Sequence, residues 1–207
     1  MRRLVNVAAA AFGLVLAAPV MVAIAVLIKL TSPGPVLYSQ IRVGLDLRRQ
    51  EMAGTNGRRQ LDYGGRPFTI HKFRTMVASS PEEQVWATPQ DPRVTPLGRI
   101  LRQYRLDELP QLVNVLRGEM NLVGPRPEQP RIFAELRGRI PGYQWRQWVR
   151  PGITGWAQIN HHYDSCIGDV ERKVALDLEY VTRQSALEDV RIMLRTIPVV
   201  LFKRGAW

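Results

Sequence analysis

The sequence is poor in the residues that staple or metallate small domains. Its 207 residues hold one cysteine, Cys166, and three histidines, His71, His161 and His162. A single cysteine excludes an internal disulfide framework, and with those histidines it offers no zinc-ligand spacing. Acidic residues are scarce too: 18 Asp and Glu against 29 Lys and Arg leave a net charge of +11. That excess suits a polyanionic partner, whether nucleic acid, an anionic membrane surface or a phosphorylated substrate. Disorder is excluded, because hydrophobic residues make up 45% of the chain.

Charge is missing altogether from Leu4 to Ile28, where Asn6 is the one strongly polar side chain. Arg2 and Arg3 precede this run and Lys29 closes it. As one straight helix it is about 37 Å long, enough to cross a hydrocarbon core of about 30 Å. Three membrane arrangements are open. A signal peptide suits the Arg pair, but the run continues past Ala17 and Ala18 with no clean small-x-small cleavage site. A spanning helix suits the length, and proline kinks are common in ordinary spans. A re-entrant hairpin suits Pro19, which kinks or breaks a helix and leaves Leu4–Ala18 at about 22 Å, too short to cross. It also suits the basic residues at both ends, which the positive-inside bias places together on the cytoplasmic side.

Beyond residue 30 the pattern predicts an α+β, mostly helical domain over 31–207. Thr31–Pro35 is a loop by its turn residues. A short strand over Val36–Ile41 and a return strand over Pro67–Met76, with Phe68, Ile70 and Phe73 on one face, make a small β-hairpin. Between them Leu45–Gly65 is a basic excursion with Arg48, Arg49, Arg58 and Arg59. A flexible stretch runs from Ala78 to Pro92. Thr95-Pro96 is a helix start, with Leu97, Ile100, Leu101 and Tyr104 at helical spacing. A second helix begins near Asp107, holds Pro110 in its first turn and ends at Gly118. Pro125, Pro127, Pro141 and Pro151 mark extended connections. Val170–Tyr180 and Leu187–Lys203 are the last helices, the final one apolar on most sides and suited to a core or, beside Trp145 and Trp148, to the membrane interface.

Asp107 and Glu108 are the most informative pair. At a helix N-terminus, free N–H groups and the dipole keep carboxylates ionised, ready to ligate Mg²⁺ or attack phosphorus. Plain capping explains such a pair equally well. Cations surround it in sequence: Arg102, Arg105, and Arg126 between Pro125 and Pro127, whose rings fix the backbone of a guanidinium suited to gripping phosphate. Lys72 and Arg74 on the return strand add two more. Each taken alone is as consistent with a solvated surface.

Five strings in order carry a resemblance to a known family. They are Ser32–Gln40, His71–Met76, Arg105–Leu112 with Asn114–Gly118, Asn121–Pro127, and Arg150–Asn160. The chain resembles the bacterial sugar transferases, or monotopic phosphoglycosyl transferases. The resemblance implies transfer of a sugar-1-phosphate from a UDP-sugar to undecaprenyl phosphate, with release of UMP, at the start of glycan or exopolysaccharide assembly. It implies a ping-pong course through a phosphosugar-aspartate, with Asp107 as nucleophile and Glu108 as its partner in orienting phosphate or holding Mg²⁺. Lys72, Arg102 and the Pro125–Arg126–Pro127 segment fall on phosphate- and nucleotide-binding positions. Pro19 falls on the proline that breaks a re-entrant helix over 1–30, with both ends at the cytoplasmic face of the bacterial inner membrane. No nucleic-acid partner is implied.

Three departures stand out. Ala18 replaces the serine usual before that proline, Leu45–Gly65 exceeds the usual turn, and His161-His162 replaces the glycine usual after Asn160. The rival reading is a non-catalytic, membrane-anchored protein that binds anionic lipid or nucleic acid through its basic surface. It accounts for the charge and the apolar start, but not for a carboxylate pair among cations.

Overall fold

A computed structural model describes residues 2–47, 64–77, 91–161 and 167–202. Most of the basic excursion and of the stretch after Val77 lie outside these residues. The first element is α1 (Arg2–Thr31), helical throughout with Pro19 inside it. The expected break is therefore not an interruption of helical backbone: the two halves join through Pro19, whose own position is exposed. It is long and apolar enough to cross a membrane by length and composition.

A single stripe of α1 meets the rest of the protein along the whole helix. Arg3 donates to the Leu116 carbonyl at 3.0 Å. Ala10 is buried with Phe68, Ile70, Val115 and Met120. Beyond Pro19, Ile24 and Ile28 are buried with Phe73 and Leu101. Spacings of three and four keep these positions on one face. The opposite side leaves Leu4, Phe12, Val15, Leu16, Val22 and Leu30 exposed. Asn6 resolves the oddity of one amide in an apolar run: its Oδ1 accepts from the Leu122 N–H at 2.7 Å and its Nδ2 donates to the Arg2 carbonyl at 2.9 Å. Arg2 itself is clamped far along the chain, donating to Asp189 and to the Tyr180 hydroxyl, each at 2.9 Å.

The hairpin forms as expected. β1 (Leu37–Val43) pairs antiparallel with β2 (Pro67–Phe73), Tyr38 opposite Lys72 and Gln40 opposite Ile70. Strand alternation corrects one expectation. Phe68 and Ile70 share a face and pack with Ala10, whereas Phe73 points the other way and packs with Ile24 and Ile28. The hairpin is thus wedged against both halves of α1.

α2 (Pro96–Gln103) starts as its residues require, with the Thr95 hydroxyl accepting from the Gly98 N–H at 2.9 Å and proline in the first turn. The next helix does not begin near Asp107. Leu106–Glu108 is a separate 3₁₀ turn, and α3 (Gln111–Arg117) starts only after Pro110. Proline in a continuous helix here would lack the N–H to bond Leu106 and would crowd that carbonyl. Gly118, at φ 85°, ends α3 as expected.

The proline-marked region holds more order than its turn residues suggest. β3 (Asn121–Val123) and β4 (Gly152–Thr154) pair in parallel, with α4 (Pro130–Arg139) and a 3₁₀ turn over Tyr143–Trp148 between them. α5 (Trp156–Asn160), α6 (Ile167–Arg183) and α7 (Ala186–Leu201) are the last elements among the described residues. α7 buries Ile192 but exposes a stripe of Leu187, Leu194, Ile197 and Leu201.

Candidate active site

The acidic pair sits where β2, the 3₁₀ turn and the β3–α4 loop converge. Asp107 and Glu108 are 8% and 5% exposed, deep enough for their charges to need partners. The turn that presents them is entered through Arg105 at φ 53°, the one non-glycine residue at positive φ among the described residues. A left-handed arginine costs about 1 kcal/mol or more, and such backbone strain collects at functional sites.

Two cations converge on one oxygen. Lys72 Nζ and Arg126 Nη2 each lie 2.8 Å from Glu108 Oε1. Burial alone would push Glu108 up, but Arg126 and Lys72 outweigh it and hold its carboxyl well below the usual carboxylate range. Its second oxygen, Oε2, is buried with no hydrogen-bond partner. Asp107 is treated differently: its nearest ion-pair contact is Lys72, 3.9 Å from Oδ2. Burial pushes its pKa up; Lys72, Arg126 and Arg102 oppose this, the neighbouring Glu108 adds to it, and the net is upward. The expectation that a helix N-terminus keeps both groups ionised is thereby revised. Cations do this for Glu108, and Asp107 is left more basic than a solvated aspartate.

Lys72 is drawn down by burial and by Arg126, and up by both carboxylates, with a net lowering. Arg102 lies close enough to affect Asp107 but spends its Nε on the Thr75 hydroxyl, 2.9 Å away. Pro125 and Pro127 are buried around Arg126, and their carbonyls accept from the Gly152 N–H and Arg42 Nη1, both at 3.0 Å. Lys72, Asp107, Glu108 and Arg126 are therefore brought together directly, Arg102 stands one contact away, and Pro19 lies elsewhere, on α1. Arg74 serves the scaffold: it binds the Ser32 carbonyl at 2.9 Å and the Pro33 carbonyl, tying the end of β2 to the loop after α1.

Sequence reasoning missed the buried Arg146 and Asp177 and the half-buried Arg42 and Glu128, a charged group behind Arg126. Each would pass singly as a surface residue, and only the fold brings them together. Among the described residues no cluster of three or more His, Cys, Asp or Glu could hold a metal. Two carboxylates do fit Mg²⁺, which keeps several waters and takes substrate phosphates as remaining ligands. The unpartnered Glu108 Oε2 beside Asp107 is the oxygen such an ion would need.

Asp107 and Glu108 thus form a recessed acidic pair with Lys72 and Arg126 held against it, in a fold that also packs a long apolar helix. Comparisons with known proteins identify the family. The family model for bacterial sugar transferases matches residues 1–203, and the chain belongs to that family. An Aeromonas hydrophila UDP-N-acetylgalactosamine-undecaprenyl-phosphate N-acetylgalactosaminephosphotransferase is 41% identical over 206 residues, 99% of this chain and 44% of that protein. The UDP-glucose:undecaprenyl-phosphate glucose-1-phosphate transferases of Escherichia coli K12 and Caulobacter vibrioides are 39% and 40% identical, over 95% and 100% of this chain. The chain spans 39% of the former and 72% of the latter, and less than half the length of the Aeromonas and Escherichia relatives.

Proposed function

We propose that this chain transfers a sugar-1-phosphate from a UDP-sugar to undecaprenyl phosphate, releasing UMP, through a covalent intermediate on Asp107. The observation that carries the assignment within the pair is the asymmetry of their contacts. Glu108 Oε1 is hydrogen-bonded to both Lys72 and Arg126 at 2.8 Å, whereas Asp107 has only a longer ion-pair contact to Lys72, at 3.9 Å, and is raised in pKa by burial. A poorly solvated carboxylate is more basic and more nucleophilic than one already paired.

In the first half-reaction Asp107 Oδ attacks the phosphorus bearing the sugar. The new O–P bond forms as the bond to UMP breaks, and UMP leaves with the electron pair. In the second, an oxygen of the polyprenyl phosphate attacks that phosphorus, the bond to Asp107 breaks and the carboxylate is restored. Both nucleophiles are anions, so no general base is needed. Lys72 and Arg126 offset charge on the diphosphate, and Glu108 holds those two cations in place. Mg²⁺ held by Asp107 and Glu108 would neutralise the diphosphate further.

The same proposal places α1 re-entrant in the cytoplasmic leaflet of the inner membrane, with both ends on the domain side. Packing of both halves of α1 on one domain supports it, because a crossing helix would carry half of those contacts to the far side. The exposed stripe of α7 and the exposed Trp145 and Trp148 suit the headgroup layer. Bilayer anchoring brings a water-soluble donor and a lipid acceptor to one site.

Asp107→Asn tests the chemistry. UMP release should fall at least a thousandfold while liposome binding is unchanged, and the parent incubated with donor alone should carry the phosphosugar on Asp107 by mass spectrometry. Near-normal release from Asp107→Asn would refute the covalent scheme. Screening UDP-glucose and UDP-N-acetylgalactosamine with undecaprenyl phosphate and Mg²⁺ identifies the sugar. For topology, cysteines placed near Arg2 and near Ser32, with the Arg2–Asp189 pair left intact, in a Cys166→Ser background should label from the same side of sealed vesicles; opposite sides would refute re-entry.

A further inference from the structure

Behind Arg126 lies a buried guanidinium that the proposed chemistry does not use. Arg146 is 1% exposed and spends its donors in three directions. Its Nε donates to Asp177 Oδ2 at 2.7 Å, its Nη1 to the Tyr143 hydroxyl at 2.7 Å, and its Nη2 to the backbone carbonyl of Arg126 at 3.1 Å. The two following carbonyls are held as well. Pro127 O accepts from Arg42 Nη1 at 3.0 Å, and Glu128 O accepts from the Val43 N–H at 2.9 Å. Three successive carbonyls are thus pinned, with a proline ring on each side of Arg126 fixing φ.

We infer that Arg146, oriented by Asp177 and Tyr143, is a positioning residue that sets where the Arg126 guanidinium meets the donor diphosphate. This rests on the reading of Arg126 as a phosphate grip. Two buried charges paired in a core contribute little stability compared with apolar residues of like volume, so the Arg146–Asp177 pair is poorly explained as a stabilising device. A fork of planar donors, by contrast, suits one carboxylate, one hydroxyl and one carbonyl held at fixed angles. The carbonyl it reaches belongs to the residue whose side chain grips Glu108 Oε1 at 2.8 Å. Misplacing a positioning group by about 1 Å can cost about a hundredfold in rate.

A double-mutant cycle on UMP release tests this, with UDP-glucose and UDP-N-acetylgalactosamine as donors. Arg146→Lys keeps the charge but lacks the fork, and should lower kcat/KM 10- to 100-fold with the near-ultraviolet circular dichroism unchanged. Arg126→Lys should cost a similar factor, because the planar fork is lost. Adding Arg146→Lys to Arg126→Lys should then cost less than threefold more, because a flexible ammonium depends little on backbone placement. A merely structural role would cost the full factor in both backgrounds and would overturn the inference, as would an Arg146→Lys enzyme within twofold of the parent. If Arg146→Lys does not fold, Tyr143→Phe decides by the same cycle. It should lose three- to tenfold in the parent and nothing further in Arg126→Lys, and an undiminished parent rate would overturn the inference. Unchanged activity in Arg126→Lys alone would instead refute the phosphate grip.

Discussion

Glu128 gives the sharpest test of how charge is managed behind the site. Its carboxylate lies 3.2 Å from Lys173 Nζ, 3.8 Å from Arg42 Nη1 and 4.0 Å from Arg146 Nη1. Burial alone would raise its pKa, but these three cations draw it down from 4.5 to about 2. A folded-state pKa below the unfolded one means the stabilisation is complete above the unfolded value and is lost as pH falls through the folded value. Here the window runs from 4.5 down to about 2. At about 1.36 kcal/mol per pH unit, that interval corresponds to about 3 kcal/mol at neutral pH. Glu128→Gln keeps the shape but leaves three like charges facing a neutral amide. Urea unfolding in detergent micelles, followed by tryptophan fluorescence from pH 7 down to pH 2, reads both consequences. The variant should be about 3 kcal/mol less stable at pH 7, and its stability should fall less steeply than the parent's below pH 4.5. Parallel curves offset by less than about 0.5 kcal/mol would refute the reasoning.

Three further outcomes follow from the geometry. Lys72→Met removes the strongest influence favouring ionised Asp107, so the acid limb of the UMP-release pH profile should move to higher pH; an unmoved limb would separate Lys72 from Asp107. Gly98→Ala should destabilise by about 1–3 kcal/mol in thermal unfolding despite alanine's better helix propensity, because its Cβ would lie 2.0 Å from the Thr75 carbonyl oxygen. Arg2→Met leaves the buried Asp189 without its guanidinium, and should cost about 2 kcal/mol and speed proteolysis between α6 and α7.

What could be read from the sequence was local. Thr95-Pro96 announces α2 because the cap and the proline act within one turn, and Gly118 ends α3 by its own backbone freedom. The hairpin was legible from alternation, although counting Phe73 with Phe68 ignored the period of two. Pro110 is compatible in pattern with a helix from Asp107, but sterics toward Leu106 favour a start beyond it. The β3–β4 pairing was out of reach, since three-residue strands some thirty positions apart leave no periodic trace. The same holds for Arg146 and Asp177, whose meaning lies in their pairing. Asn6 did leave a signal: one amide inside a charge-free run demands a partner, and Leu122 supplies it. Within the site, the motif strings named the four residues that meet, but not that Glu108 would take both cations.

The apolar helix is not an anchor bolted to a finished domain. Ala10 fills one core cluster and Ile24 and Ile28 another, while Asn6 accepts the Leu122 N–H of the short parallel sheet. A chain begun at the loop after α1 would lack the wall against which both sides of the hairpin close, including the strand that carries Lys72. Removing α1 to make this protein water-soluble should therefore yield a misfolded domain rather than a water-borne one, and purification should carry lipid or detergent along with the helix.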